Sequence, residues 1–322
     1  MQFQSFKWIG GLLIAVAAAL AQGQTWPTQP IRIVVPFTPG TGMDTIARSV
    51  APRLSERLGQ PVLVVNMPGA SGNIGADNVA KAAPDGYTVL MGANTMLIAS
   101  QMYKNVPFDP LKDFSPVSLA ATGTLMLVAN PKTGIKSVQE LISRAKARPG
   151  SVTFGSPGVG TPHHMAMELF KTQAGIFMLH VPYRGSAGYT QDILSGELMV
   201  GFLPVHIAAS YVAAGKLTAL AVGSAKRHPV APNVPTFEEV GVKDLNVELW
   251  YAFFTPAKTP AAIVNRLHTE IAAILKLPEV HDTLAKAGLD AESSTPAALA
   301  SLVAKDYPRW GAVIKHNGIT AD

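Results

Sequence analysis

Short apolar runs rich in β-branched residues alternate along this chain with longer segments whose apolar positions recur at helical spacing. That alternation predicts α/β architecture: a buried strand carries a continuous apolar run, a surface helix only one apolar stripe. Residues 31–35 (IRIVV) predict a strand ended by Pro36. A helix follows over 44–58, with Ile46, Ala47, Val50, Leu54 and Leu58 on one face and Gly59 as its stop. Strands are expected over 61–65 and 87–92, separated by a helix over 72–83 and a turn at Pro84-Asp85-Gly86.

A second series begins near residue 120. Strands are predicted over 125–129, 152–155, 179–182, 199–203 and 217–222, with helices over 137–147, 161–170 and about 189–195. Ser137 with Glu140, and Thr236 with Glu239, read as capping boxes, while Thr161, Thr259 and Thr295 each precede a proline in the order that opens a helix. Beyond residue 236 the pattern reads as mainly helical. No repeat and no flexible linker interrupts it, so two lobes sharing crossover strands fit better than separate domains. Residues 25–120 with 223–322 are expected to form lobe I, and 121–222 lobe II.

Composition narrows the class. The 322 residues are 48% hydrophobic and 15% charged, which rules out a disordered chain and suits two compact cores. Against 21 Asp and Glu stand 26 Lys and Arg, a formal charge of +5. The basic residues are dispersed, without the clusters that nucleic-acid binding needs. No cysteine is present, which excludes disulfides, thiolate metal sites, cysteine nucleophiles and an acylated-cysteine anchor. Lys7, the apolar run 9–21 and Ala19-Leu20-Ala21 have the order of a signal peptide cleaved after Ala21, a run too short for a comfortable membrane span. The mature chain is expected to be exported and soluble.

Three glycine-rich loops lie between a predicted strand and a predicted helix, where parallel α/β sheets collect ligands. The first, 36–44, carries Thr38, Gly40, Thr41, Gly42 and Asp44. It reads either as an anion cradle at a helix start or as a tight turn with Asp44 as cap. The second, 66–75, carries Ser71, Gly72 and Asn73, and reads equally as a strand-to-helix turn. The third, 155–164, carries Ser156, Gly158, Thr161, His163 and His164. Adjacent histidines diverge by about 100° on a helix, and His164 with Glu168 makes too few ligands, so no metal is expected. An exported serine hydrolase of small esters or amides is the rival reading, with Ser71, Ser156 or Ser186 as nucleophile and His164 or His180 as base. None of these serines stands in an intact G-x-S-x-G.

Read together, the loops 36–44 and 66–75, PDGY at 84–87, VPFDPLKDFSPV at 106–117, GSPGVGTPHHMAMELF at 155–170, HVPYRG at 180–185 and VPTFEE at 234–239 resemble the Bug proteins. These are the extracytoplasmic receptors of tripartite tricarboxylate transporters. The resemblance implies a two-lobed type II periplasmic-binding-protein-like fold that closes on a small organic acid, with no catalysis and no cofactor. It implies ligand contacts from Thr38, Gly40, Gly42 and Asp44, from Ser71, Gly72 and Asn73, and from Ser156, Gly158, Thr161 and His164. Glu168, Tyr183 and Asp192 match positions expected to support the fold, and Arg184 stands where relatives carry lysine. Thr41 replaces a glycine of the family pattern, adding a hydroxyl at the site. Val65 and Met67 replace charged residues of the second loop. The partners implied are the organic acid and the transporter's membrane subunits, with the receptor a monomer. The expected ligands are C4 to C6 di- and tricarboxylates, acidic amino acids, and aromatic or pyridine carboxylates.

Overall fold

The computed structural model describes residues 26–183 and 185–320. The expected signal peptide and Arg184 lie outside the described residues. Eleven strands among them form two mixed sheets with helices packed on their faces. The first sheet opens with β1 (Ile31–Val35), α1 (Gly42–Leu58), β2 (Val62–Asn66), α2 (Asn73–Ala80), β3 (Thr88–Ala93) and α3 (Asn94–Met102). Its strand β4 (Phe114–Gly123) leads through Thr124 directly into β5 (Leu125–Ala129) of the second sheet.

The second sheet continues with α4 (Val138–Ala147), β6 (Thr153–Ser156), α5 (Pro162–Ala174), β7 (Leu179–Pro182), α6 (Ser186–Ser195), β8 (Val200–Pro204), α7 (Val205–Ala213) and β9 (Thr218–Val222). The chain then returns to the first sheet as β10 (Leu249–Pro256), followed by α8 (Ala261–Ile274), α9 (Pro278–Lys286), β11 (Asp290–Ala291) and α10 (Pro296–Asn317). The strand orders are β11-β4-β10-β3-β1-β2 and β7-β6-β8-β5-β9. In each sheet the glycine-rich loops leave the carboxyl ends of parallel strands, β1 and β2 in one and β6 in the other.

Three findings depart from the sequence pattern. Strand β10 sits between β3 and β4, antiparallel to both, in a region that reads as mainly helical. Its residues are nearly all buried on both faces, and a short continuous apolar run is not distinguished from a buried helix segment by periodicity alone. The Thr236–Glu239 box forms as drawn, with Glu239 N donating to Thr236 Oγ1 at 3.2 Å and Thr236 N to Glu239 Oε2 at 2.8 Å. It closes a turn, not a helix. The hydroxyl of Thr259 donates to Pro256 O at 2.7 Å and caps nothing, whereas Thr41, Ser137, Thr161 and Thr295 do cap helices.

The segment between β9 and β10 packs on the second sheet. Phe237 is buried against Phe170 and Phe202, and Val242, Leu245 and Val247 join the same apolar cluster. Helix α10 ties the two halves together. Its cap Thr295 adjoins Ser294, which is hydrogen-bonded to Ser118 of β4, and near its end Asn317 Nδ2 donates to Thr172 Oγ1 of α5 at 3.1 Å.

Candidate functional site

A cavity of about 200 Å³ opens where the two sheets face one another. From the first half come Phe37, Thr41, Gly42 and Met43, then Ser71, Asn94, Thr95 and Tyr251. From the second come Val159, Gly160, Thr161, Pro162 and His163. Depressions of about 660 and 780 Å³ lie elsewhere, around α10 and around the end of α5. The smaller cavity is the better candidate because helix starts from both halves converge on it: α1 at Gly42, α3 at Asn94 and α5 at Pro162. Backbone N–H groups at a helix start are unpaired within the helix, and the aligned peptide dipoles favour negative charge there. No lining residue carries a formal charge, so these dipoles and the neighbouring hydroxyls supply the polarity.

The structure brings Thr41, Gly42, Ser71 and Thr161 together at this cavity. Thr41 accepts from Asp44 N at 3.4 Å as the N-cap of α1, and Thr161 does the same for His164 N in α5. Ser71 is held at φ 53°, a left-handed conformation costly for a residue with a Cβ, and its Oγ lies 3.1 Å from the Tyr103 hydroxyl.

The remaining predicted residues do not line the cavity. Thr38 and Gly40 are exposed on the loop rim. Buried Asp44 accepts from Gly40 N at 3.0 Å, from Arg48 Nε at 3.0 Å and from Asn66 Nδ2 at 2.9 Å, while Asn66 Nδ2 also donates to Phe37 O at 3.0 Å. Burial opposes its charge, yet the hydrogen bonds from Arg48, Gly40 and Asn66 hold its carboxyl below the usual value of 3.8. Asp44 thus clasps the first loop to the second. Gly72 lies against Phe37, where an added Cβ would come within 3.0 Å of the ring. Asn73 is buried, with Oδ1 lacking a partner.

Ser156, Gly158 and His164 shape the third loop from beneath. Gly160 N donates to His164 Nδ1 at 3.1 Å, and His164 stacks on His180 with centroids 4.1 Å apart. Glu168 pairs with Lys171 at 2.7 Å, and Tyr183 bonds to Asp192, support contacts within the second half. Ser156 Oγ lies 2.8 Å from His180 Nε2 but is fully buried and gives its single proton to Gly158 O at 2.9 Å. His180 must then donate to the serine, the reverse of what a general base does. Burial, followed by the neighbouring His164, pushes His180 down to about 4.

Sequence reasoning missed Asn94, Tyr251 and His163. Burial pushes Tyr251 up to about 12 and His163 down to about 4, so both are neutral near pH 7. The Nδ1 of His163 is buried without a partner. His163 is the second residue of α5, directly after the Thr161-Pro162 start, and only the helix direction shows which of the two histidines meets the cavity.

The family model described as TctC, tripartite tricarboxylate transporter family receptor, matches residues 46–319. Protein BugT of Bordetella pertussis is 34% identical over 312 residues, covering 96% of each chain. A Rhodopseudomonas palustris protein solved with adipate superposes with a TM-score of 0.77 at 35% identity, covering 92% of this chain and 99% of its own. MatC from the same organism, solved with bound malate, gives 0.75 at 29%, covering 90% and 100%.

Proposed function

Because the chain belongs to the tripartite tricarboxylate transporter receptor family, we propose that it captures a small organic acid between its two halves and hands it to membrane subunits of such a transporter. Receptors of this family are periplasmic solute-binding proteins, not enzymes. No helix among the described residues is long and apolar enough to cross a membrane. Cleavage after Ala21 and action as a monomer belong to the same proposal.

One observation carries it: three helix starts from two sheets open into a single cavity without a charged side chain. Such a site neutralises a carboxylate with dipoles and hydrogen bonds and rejects a bare cation. At about 200 Å³ it lies below the roughly 300–1,000 Å³ of drug-sized pockets, so the ligand is small. Its wall includes Phe37, Met43, Met102, Val159 and Leu249, which suits an acid with an apolar body over a dense polyanion. The neighbours solved with adipate and malate support a carboxylate of this size. Within the predicted set, Thr41, Gly42, Ser71 and Thr161 are assigned to direct contact, together with Asn94 and His163.

Thermal unfolding of the mature chain against a panel of organic acids tests this. A true ligand at about 100 times its Kd adds roughly 2.7 kcal/mol of stability. A panel spanning aliphatic dicarboxylates, hydroxyacids and aromatic acids that leaves the transition unmoved would remove the assignment.

A further inference from the structure

Outside the cavity lining, His206, His228 and Asp290 converge so that one nitrogen or oxygen from each lies within 4.8 Å of the others. No other three His, Asp or Glu side chains meet this closely among the described residues. His206 is the second residue of α7, beside the second sheet. His228 lies on the return segment packed on that sheet, and Asp290 belongs to β11, paired opposite Thr122 at the edge of the first sheet. The three therefore join the two halves of the molecule beside the β4–β5 crossover.

We propose that this cluster is a site for a divalent transition-metal ion such as Zn²⁺, bridging the two halves at the hinge. Two imidazoles and one carboxylate, with a water completing four-coordination, form a donor set that suits zinc. His228 Nε2 and Asp290 Oδ2 are already 3.0 Å apart, and the two imidazole rings lie edge to face with centroids 5.3 Å apart. His206 Nδ1 is buried beside the Gly288 backbone, without a hydrogen bond of normal geometry. An open depression of about 440 Å³, lined by His228, Asp290 and Glu248, provides a route in from solvent. Lys226 and Arg227 share that wall, and Arg227 is engaged by Glu239 at 2.9 Å.

Loading has two structural consequences. Tetrahedral zinc holds its donors about 3.3 Å apart, close to the present His228–Asp290 separation, so loading acts mainly by drawing His206, and with it α7, toward the other two. His228 Nδ1 now accepts from Val230 N at 3.2 Å. With metal on Nε2 the ring proton must move to Nδ1, so that turn has to release the Val230 contact. The ion would thereby bias the angle between the halves. Sequence spacing hid the cluster because its members come from three distant segments.

The test is zinc titration of the untagged, chelator-stripped mature protein by calorimetry, with unfolding midpoints recorded in chelator to confirm that each variant folds. The expected result is one Zn²⁺ per chain, weakened about tenfold or more in both His206→Ala and Asp290→Asn. The exposed control His281→Ala should match wild type. Absence of stoichiometric zinc binding overturns the site, as does binding by folded Asp290→Asn or His206→Ala at wild-type affinity.

Discussion

At Asp44 the competition is between burial, which disfavours a carboxylate, and three donors that satisfy it. The donors win, and the residue works as a clasp between two loops. Asp44→Ala should therefore cost about 2–3 kcal/mol of stability, since hydrogen bonds to charged groups are worth roughly 1.5–3 kcal/mol each and Arg48 is half exposed. Denaturant unfolding reads the loss, and affinity for the acid should fall much less. A large affinity loss at unchanged stability would instead put Asp44 in contact with ligand. Its lowered pKa makes this contribution complete above about 3.8 and lost as pH falls below it. His163 acts in a different window. Burial depresses it from 6.5 to about 4, so the unfolded chain binds the extra proton between those values and stability declines as pH drops from 6.5 toward 4. His180 is depressed over the same window, so His163→Gln should reduce, not abolish, the slope of a melting-temperature profile there, and an unchanged slope would show that His163 carries no part of it.

At the scale of elements, the third loop is where the halves touch beside the cavity. Gly160 sits at φ 73°, and a Cβ there would lie 2.5 Å from the Met102 thioether of α3. Gly160→Ala should weaken ligand binding about tenfold by blocking that approach and straining the loop. Met102→Ala in the same chain should recover part of the loss, so that the double mutant loses less than the two single losses combined. Strict additivity in calorimetry would mean that the side chains do not meet in the bound form. Loops of this kind were legible in the sequence because Gly, Pro and capping threonine mark strand-to-helix turns locally, as Thr161-Pro162 does for α5. Strand 125–129 was legible as a continuous apolar run, and 31–35 as an apolar run broken only by Arg32. Strand β10 was not, because what makes LWYAFFTP a central strand is pairing with β3 and β4, partners far away in sequence. The same reason hid Asn94 and Tyr251: neither belongs to a glycine-rich loop, and only the sheet order carries them to the cavity. Adjacent His163 and His164 show the limit most sharply. The sequence argument chose His164, which the fold turns beneath the loop onto His180, while His163 faces the cavity.

At the scale of the molecule, the question is which parts can rotate. The first crossing is short, Gly123-Thr124, whereas the second runs through a segment whose Phe237 and Val247 are locked into the second half. The return crossing is thus better placed at the start of β10 than at Val222. Helix α10 limits the motion further, because Trp310, Val313 and Ile314 are buried in the same apolar cluster as the second sheet. The proposed closure on ligand is then expected to hinge near Thr124 and Glu248 with α10 sliding against α5, not to swing freely. The absence of cysteine makes this measurable without altering the native core. Labels on cysteines introduced at Thr38 and Ser186, exposed residues at the carboxyl ends of strands in opposite sheets, report the cleft mouth. Saturating acid should shorten their separation by several ångströms, because a ligand shifts the equilibrium only by preferring the closed arrangement. Binding without any change in that distance would mean a preformed cavity, with recognition by the transporter resting on the ligand's effect at the rim and not on rotation of the halves.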